Sequence, residues 1–262
     1  MKKPTYKDVA IEAARAAGKI HKKYFHRDIK VKTKGASYDL LTIADTEAEK
    51  AVVSVIKKYF PEHNFLGEEN RYAKTDSAYT WVIDPLDGTN NFSSGMPIFC
   101  VSVALVKNGE SIVGVVYDVT RDELFSAVKG HGAYLNGKRM KVSDAKTLKD
   151  SLLITGFYYD RGKLMRATLD NIHEFFQKPI RGLRRLGAAA LDLCYIASGR
   201  AAGFWEFQLS PWDFAAGKLL VEEAGGKVTD DSGKKVSITK SYVVASNGTI
   251  HAAMLKVLKR KK

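Results

Sequence analysis

The chain has 262 residues, 45% hydrophobic and 27% charged, with a formal net charge of +13. That length suits one large domain or two closely packed halves with a sizeable core, and the balance excludes a disordered or collagen-like protein. No apolar run reaches the roughly 20 residues needed to cross a bilayer.

Met1-Lys2-Lys3-Pro4 is basic, but Asp8 and Glu12 interrupt any apolar signal core, so neither a signal peptide nor an anchor is expected. Tyr6 to Tyr24 follows as a helix, its stripe formed by Val9, Ala10, Ala13, Ala14, Ala17 and Ile20. Thr46 to Phe60 is a second helix with Pro61 beyond its end. Thr80 to Asp84 is a short β-rich run. Strands are expected over Ile98 to Lys107, Ile112 to Val119 and Glu123 to Val128, with hairpin turns at Asn108-Gly109 and Asn136-Gly137. This middle block should form antiparallel sheet against the two helices.

Near residue 147 the rhythm changes, and a boundary is placed there, giving halves 1–147 (α+β) and 148–262 (α/β). Ser151 to Phe157 reads as a strand and Lys163 to Gln177 as a helix. Leu183 to Leu186 is extended, and Ala188 to Ser198 is helical. Gly203 to Phe207 is a strand. Ser210-Pro211 starts a helix that stops at Gly225-Gly226. Tyr242 to Ser246 is a strand, with Asn247 capping a last helix. Cys100 and Cys194 sit in apolar stretches as buried free thiols, which points to a cytoplasmic protein. Lysines and arginines are spread along the chain and cluster over Lys256 to Lys262. They favour anionic partners or form a solvated basic face.

Four acidic sites fall at element ends: Glu68-Glu69 after Gly67, Asp84, Asp87, and Asp213 three residues into its helix. In Asp84-Pro85-Leu86-Asp87-Gly88-Thr89, Pro85 biases Asp84 toward extended backbone. Both carboxylates and the Leu86 carbonyl then converge on one side of a tight turn. Such oxygen-only ligation suits Mg²⁺ or Mn²⁺ rather than zinc. The N–H groups of Gly88 and Thr89 would face a bound anion. Alone, the segment is equally a plain β-turn capped by carboxylates. The six histidines (21, 26, 63, 131, 173 and 251) have no metal-ligand spacing and read as surface or packing residues.

Trp81 to Phe92, with its Asp-Pro-Leu-Asp-Gly-Thr core, resembles the first motif of the inositol monophosphatase family. That family belongs to a lithium-sensitive, metal-dependent group that includes fructose-1,6-bisphosphatases. Pro211-Trp212-Asp213-Phe214-Ala215-Ala216-Gly217, continuing to Glu223-Ala224-Gly225-Gly226, resembles the second motif. Gly67-Glu68-Glu69 and Thr42-Ile43-Ala44-Asp45 match two further blocks in order. The resemblance implies a mixed α/β, layered αβαβα sandwich of the sugar-phosphatase type, usually a homodimer. It implies two or three Mg²⁺ ions on Glu68, Asp84, the Leu86 carbonyl, Asp87 and Asp213. Thr89, backed by Asp45, would orient the attacking water, with Glu68 also at the reacting end. Gly187, Ala188, Ala189 and Glu206 would contact the alcohol part of the substrate, beside Asp87 and Asp213. Asn90 departs from the family's frequent second Thr.

The expected activity is metal-dependent hydrolysis of a phosphate monoester on a small phosphorylated metabolite, with nucleic acid not the main partner. Inositol 1-phosphate is the first substrate, fructose 1,6-bisphosphate the second, and NADP or a nucleotide 3′-phosphate the third. Arg184, Arg185 and Arg161, near Tyr158-Tyr159, suit a second phosphate, while Arg184 or Arg185 equally suits an ion pair at a dimer surface.

Overall fold

The computed structural model describes residues 4–27, 31–33, 40–157 and 161–258. Tyr158, Tyr159 and the end of the basic C-terminal cluster, 259–262, lie outside the described residues.

Helix α1 (Tyr6–Tyr24) starts where Thr5 and Asp8 cap each other: the Asp8 N–H donates to Thr5 Oγ1 at 3.2 Å and the Thr5 N–H to Asp8 Oδ2 at 3.0 Å. A short hairpin follows, β1 (Val31–Thr33) with β2 (Leu40–Thr42). Helix α2 (Ile43–Tyr59) begins three residues earlier than the apolar periodicity suggests. Thr42 and Asp45 form a second capping pair, which stops the chain at Thr42.

Strands β3 (Asn64–Gly67), β4 (Tyr79–Asp87), β5 (Cys100–Lys107), β6 (Glu110–Asp118), β7 (Glu123–Val128), β8 (Ala133–Leu135) and β9 (Lys138–Arg139) form one seven-stranded sheet in that order, broken only by the five-residue helix α3 (Thr89–Ser93) after β4. All neighbours are antiparallel except β3 and β4. Both Asn-Gly turns have positive φ at both central residues, 51° and 79° at Asn108-Gly109 and 47° and 79° at Asn136-Gly137. That is the backbone a two-residue hairpin needs, and Asn-Gly tolerates it best.

After residue 147 the chain builds β10 (Leu152–Thr155), α4 (Lys163–Phe176), β11 (Gly182–Arg184), α5 (Ala189–Ala197), β12 (Gly203–Leu209), α6 (Pro211–Glu223), β13 (Lys227–Thr229), β14 (Ser241–Ser246) and α7 (His251–Leu258). The five strands run β11-β10-β12-β14-β13, with β10 parallel to both neighbours and β14 antiparallel to both of its own. Asn247 does not cap α7 directly: its Oδ1 accepts from the Ile250 N–H at 3.1 Å, one turn ahead of the helix.

Three apolar layers hold these pieces together. One joins α1 and α2 to the outer face of the seven-stranded sheet. The second packs α5 and α6 between the two sheets. The third sets α4 and α7 against the far face of the five-stranded sheet. The order is helix, sheet, helix, sheet, helix, the αβαβα sandwich expected from the motifs. Trp81 and Trp205 are fully buried in the first and third layers. Truncating either to Ala would cost about 3–5 kcal/mol. Cys100 and Cys194 are free and buried.

Candidate active site

The Asp84–Asp87 segment is not the tight turn expected from Pro85. It is the bulged end of β4. Asp84 stands opposite Ser102 and Asp87 opposite Cys100, so Pro85 and Leu86 face Val101 alone. Proline has no N–H for the ladder, and the extra residue removes the need for one. The bulge puts both aspartates on the same end of the sheet. Gly88 follows at φ 97°, and a Cβ there would stand 2.8 Å from the Ile98 carbonyl oxygen, so a side chain is excluded.

Three segments bring four carboxylates to this end. Asp84 and Asp87 come from β4, Glu68 from the turn after β3, and Asp213 from the first turn of α6. The backbone N–H of Glu68 donates to the Ile83 carbonyl at 3.2 Å, which fixes that turn beside Asp84. Asp213 Oδ2 accepts the Ser210 N–H at 2.7 Å, the reciprocal half of an N-terminal cap. Asp87 Oδ2 accepts the Ala190 N–H at 2.7 Å, a bond that joins β4 to α5, and the Cys100 thiol lies 3.7 Å away.

These side chains line a cleft of about 350 Å³ with Leu86, Gly88, Thr89 and Asn90. A larger cavity of about 530 Å³ lies beside the start of α1, but its one carboxylate, Asp8, is already engaged in capping.

The electrostatics of the cleft are those of crowded acids. Asp84 is 2% exposed, and burial, then Glu68, Asp87 and Asp213, raise its pKa well above the usual carboxylate range. Burial lifts Asp87 to about 7 against the pull of the Ala190 N–H. Burial and then Glu68 raise Asp213. Glu206, on β12, is lifted to about 8 by burial and by Asp87. Asp192, one turn into α5, is raised by burial and by Glu206, and neither of its oxygens has a hydrogen-bond partner among the described residues. Carboxylates that suppress one another's ionisation are what a hard cation would relieve.

The donor set is oxygen throughout, which suits Mg²⁺. Among the described residues, however, no three His, Cys, Asp or Glu side chains close on one point as a finished cage. The acids share a cleft rather than a preformed shell.

Thr89 and Asp45 meet as the motifs imply. The Thr89 hydroxyl lies 2.9 Å from Asp45 Oδ1 and 3.0 Å from the Leu86 carbonyl oxygen, the two acceptors open to its one proton. Asp45 is fully buried behind it, its Oδ2 accepting the Thr42 N–H at 2.8 Å and the Thr42 hydroxyl at 2.6 Å.

Arg185, Gly187, Ala189 and Glu206 line the same cleft, whereas Ala188 is fully buried and does not. Gly156 also lines it: a Cβ there would stand 1.9 Å from Glu206 Oε2, so the glycine is the seat of that carboxyl. Asn91 ties α3 to the segments before β5 and after β11, its amide donating to the Ile98 and Leu186 carbonyls, both at 2.8 Å. Arg71, Gly156, Phe157 and Trp212 reach the cleft although no motif pointed to them individually. Asn91 and Trp212 stood inside the matched blocks, but their roles follow from three-dimensional contact and leave no mark in local spacing.

A layered αβαβα chain with carboxylates from three distant segments converging at one end of its central sheet defines a class of protein before it defines a member. The model of the inositol monophosphatase family matches residues 3–262, and the chain belongs to that family. It is 43% identical over 241 residues to the Nus factor SuhB of Pasteurella multocida, covering 91% of this chain and 90% of that protein. It is 40% identical over 258 residues to the inositol-1-monophosphatase of Synechocystis, covering 97% and 88%. The crystal structure of the extragenic suppressor protein SuhB from Bartonella henselae superposes with a TM-score of 0.92 at 38% identity, over 97% of this chain and 98% of that one. An inositol monophosphatase/NADP phosphatase complexed with Mg²⁺ and phosphate superposes at 0.80 with 28% identity, over 93% and 92%.

Proposed function

We propose that the chain is a Mg²⁺-dependent phosphomonoesterase acting on inositol 1-phosphate. The observation that carries this is the pairing of the acidic cleft with a Thr89–Asp45 hydrogen bond at its edge. Glu68, Asp84, the Leu86 carbonyl, Asp87 and Asp213 would hold two or three ions. When bound, such ions acidify water and neutralise charge on a transferring phosphoryl group. The family membership and the Mg²⁺ in the related phosphatase support this reading.

The chain's own contribution starts at Thr89. With its proton donated to the buried Asp45 carboxylate, Thr89 Oγ1 offers a lone pair to a water entering the cleft. It can therefore orient that water and take its proton while passing its own to the Asp45 carboxylate. The Gly88 and Thr89 N–H groups, at the start of α3, have no acceptor within the helix and suit an anion. Glu206 on its Gly156 seat, with Asp87, suits the hydroxyls of a polyol. Arg185 on the same wall suits an anion. A second reading, fructose 1,6-bisphosphate alone or with inositol 1-phosphate, rests on that arginine.

In the same proposal the protein is cytoplasmic and works as a homodimer, and its two halves meet near residue 147. The face of α4 that carries Leu169 and Phe176, 48% and 58% exposed and seven residues apart, supports a paired surface. No helix among the described residues is long and apolar enough to cross a membrane. The name Nus factor carried by close relatives supports a nucleic-acid-associated role as a further alternative.

The test is phosphate release with Mg²⁺ from inositol 1-phosphate, fructose 1,6-bisphosphate, NADP and 3′-phosphoadenosine 5′-phosphate. Turnover of inositol 1-phosphate well above the others is expected. Release from none of them overturns the reading.

A further inference from the structure

The turn between β3 and β4 rests on a buried acid that the catalytic reading leaves unused. Glu49 lies in the middle of α2 and is fully buried. Its carboxylate accepts the Glu69 N–H at 2.9 Å, the Asn70 N–H at 2.9 Å, the Asn70 side-chain amide at 2.8 Å and the Tyr72 hydroxyl at 2.7 Å. Gly67 completes the seat, because a Cβ there would stand 2.6 Å from the Glu49 carboxyl. Hydrogen bonds to a carboxylate are stronger than neutral ones, and a fully satisfied buried network makes its surroundings rigid. Residues 67–72 are therefore a fixed block rather than a loose loop.

The block presents two opposite charges to the cleft, Glu68 and Arg71. Arg71 is exposed and has no hydrogen bond or ion pair among the described residues. No ion pair joins it to Glu68, Asp84, Asp87 or Asp213 among the described residues. The guanidinium thus stands at the cleft without neutralising its floor. The Glu49 bonds to Glu69, Asn70 and Tyr72 anchor the chain on both sides of Arg71, and its unpaired planar donor fork is open to an incoming phosphate.

We propose that Arg71 recognises a second phosphate on the substrate, distinct from the one being cleaved, and that Glu49 is the positioning residue that holds it there. This rests on the phosphatase reading above. The two-phosphate substrate is the probe, because a monophosphate offers Arg71 nothing once its phosphate sits at the reacting end.

The experiment compares wild type, Arg71→Ala and Glu49→Gln at saturating Mg²⁺, with inositol 1-phosphate and fructose 1,6-bisphosphate as substrates, and follows amide hydrogen exchange. For Arg71→Ala, KM for the bisphosphate should rise about tenfold, the lower end for a charged hydrogen bond at an exposed site. Its kcat and the KM for inositol 1-phosphate should stay within about twofold of wild type. Exchange at the Glu69 and Asn70 amides should be unchanged. Glu49→Gln should speed exchange at those amides about tenfold or more and shift the KM ratio of the two substrates the same way. An equal KM change on both substrates, or none, overturns the Arg71 assignment. Unchanged exchange in Glu49→Gln overturns the role of Glu49. A wild type that cleaves inositol 1-phosphate alone overturns the second-phosphate site and leaves the phosphatase reading standing. A wild type that cleaves neither overturns both.

Discussion

Replacing Asp45 by Asn separates the chemistry of the Thr89 pair from its structural work. In the wild type, one Asp45 oxygen takes the Thr42 N–H and hydroxyl while the other lies 2.9 Å from Thr89 Oγ1. In Asp45→Asn the side-chain carbonyl can keep both Thr42 bonds. The new amide then donates to Thr89 Oγ1 and occupies one of its two lone pairs. The Thr89 proton turns to the Leu86 carbonyl, already 3.0 Å away. Every buried polar group keeps a partner, so the loss of stability is confined to charge assistance, roughly 1–2 kcal/mol. With no carboxylate to take its own proton, however, the hydroxyl can no longer relay a proton from water. General-base contributions run from about 100-fold to about 10,000-fold, so kcat should fall at least about 100-fold, equivalent to about 2.7 kcal/mol. Phosphate release at saturating Mg²⁺ measures the first effect and urea unfolding the second. A folded Asp45→Asn protein with kcat within about threefold of wild type refutes the water-orienting role. Thr89→Val should match it, and the double variant should be little worse than either single one.

Three further outcomes follow from the geometry. Asp87→Asn should lose about 100-fold or more in phosphate release yet melt no lower than wild type. The wild-type carboxyl, raised to about 7, loses stability as pH climbs from the ordinary carboxylate range through about 7, so any gain by the metal-free variant should be full above that pH; a clear drop in Tm there would contradict this. His21 is buried in α1, with Nε2 2.9 Å from the Pro85 carbonyl and, among the described residues, no partner for Nδ1, and burial lowers it to about 4. The unfolded histidine binds its proton near pH 6.5, so acidification from about 6.5 to about 4 should remove stability at about 1.4 kcal/mol per pH unit relative to His21→Gln, which can keep the bond to Pro85; parallel pH profiles would rule this out. Gly156→Ala should displace the Glu206 carboxyl from its seat and raise KM for inositol 1-phosphate several-fold with kcat nearly unchanged, and unaltered kinetics would show that the seat does not matter.

Much of this architecture is legible locally. The Ala-rich stripe of α1, the two Asn-Gly turns and the Ser210-Pro211 start of α6 each state their geometry within a few residues, and the structure follows them. The β1–β2 hairpin and β13 carry no comparable signal, being three residues per strand. The start of α2 falls three residues before the apolar periodicity because a capping pair sets it. At the site, the motifs identified the acids and the Thr89–Asp45 pair. They did not show that Asp84 to Asp87 is a bulge, since that depends on the register against β5. Nor did they reach Arg71 or Gly156, whose roles depend on Glu49 and Glu206, 22 and 50 positions away in the sequence.

The two helices between the sheets set a boundary on how this protein can change. Nearly every residue of α5, and most of α6, is buried, so neither offers a water-facing side on which substitutions pass unnoticed. Both helices also touch the reacting end, through the Ala190 N–H and Asp213. The reaction centre is thus tied to the part of the fold least free to vary. New substrates are easier to accommodate at the rim, where Arg71 is exposed and its replacement disturbs no packing. Divergence in this fold should therefore run outward, with the bond broken staying constant while the molecule that carries it is exchanged.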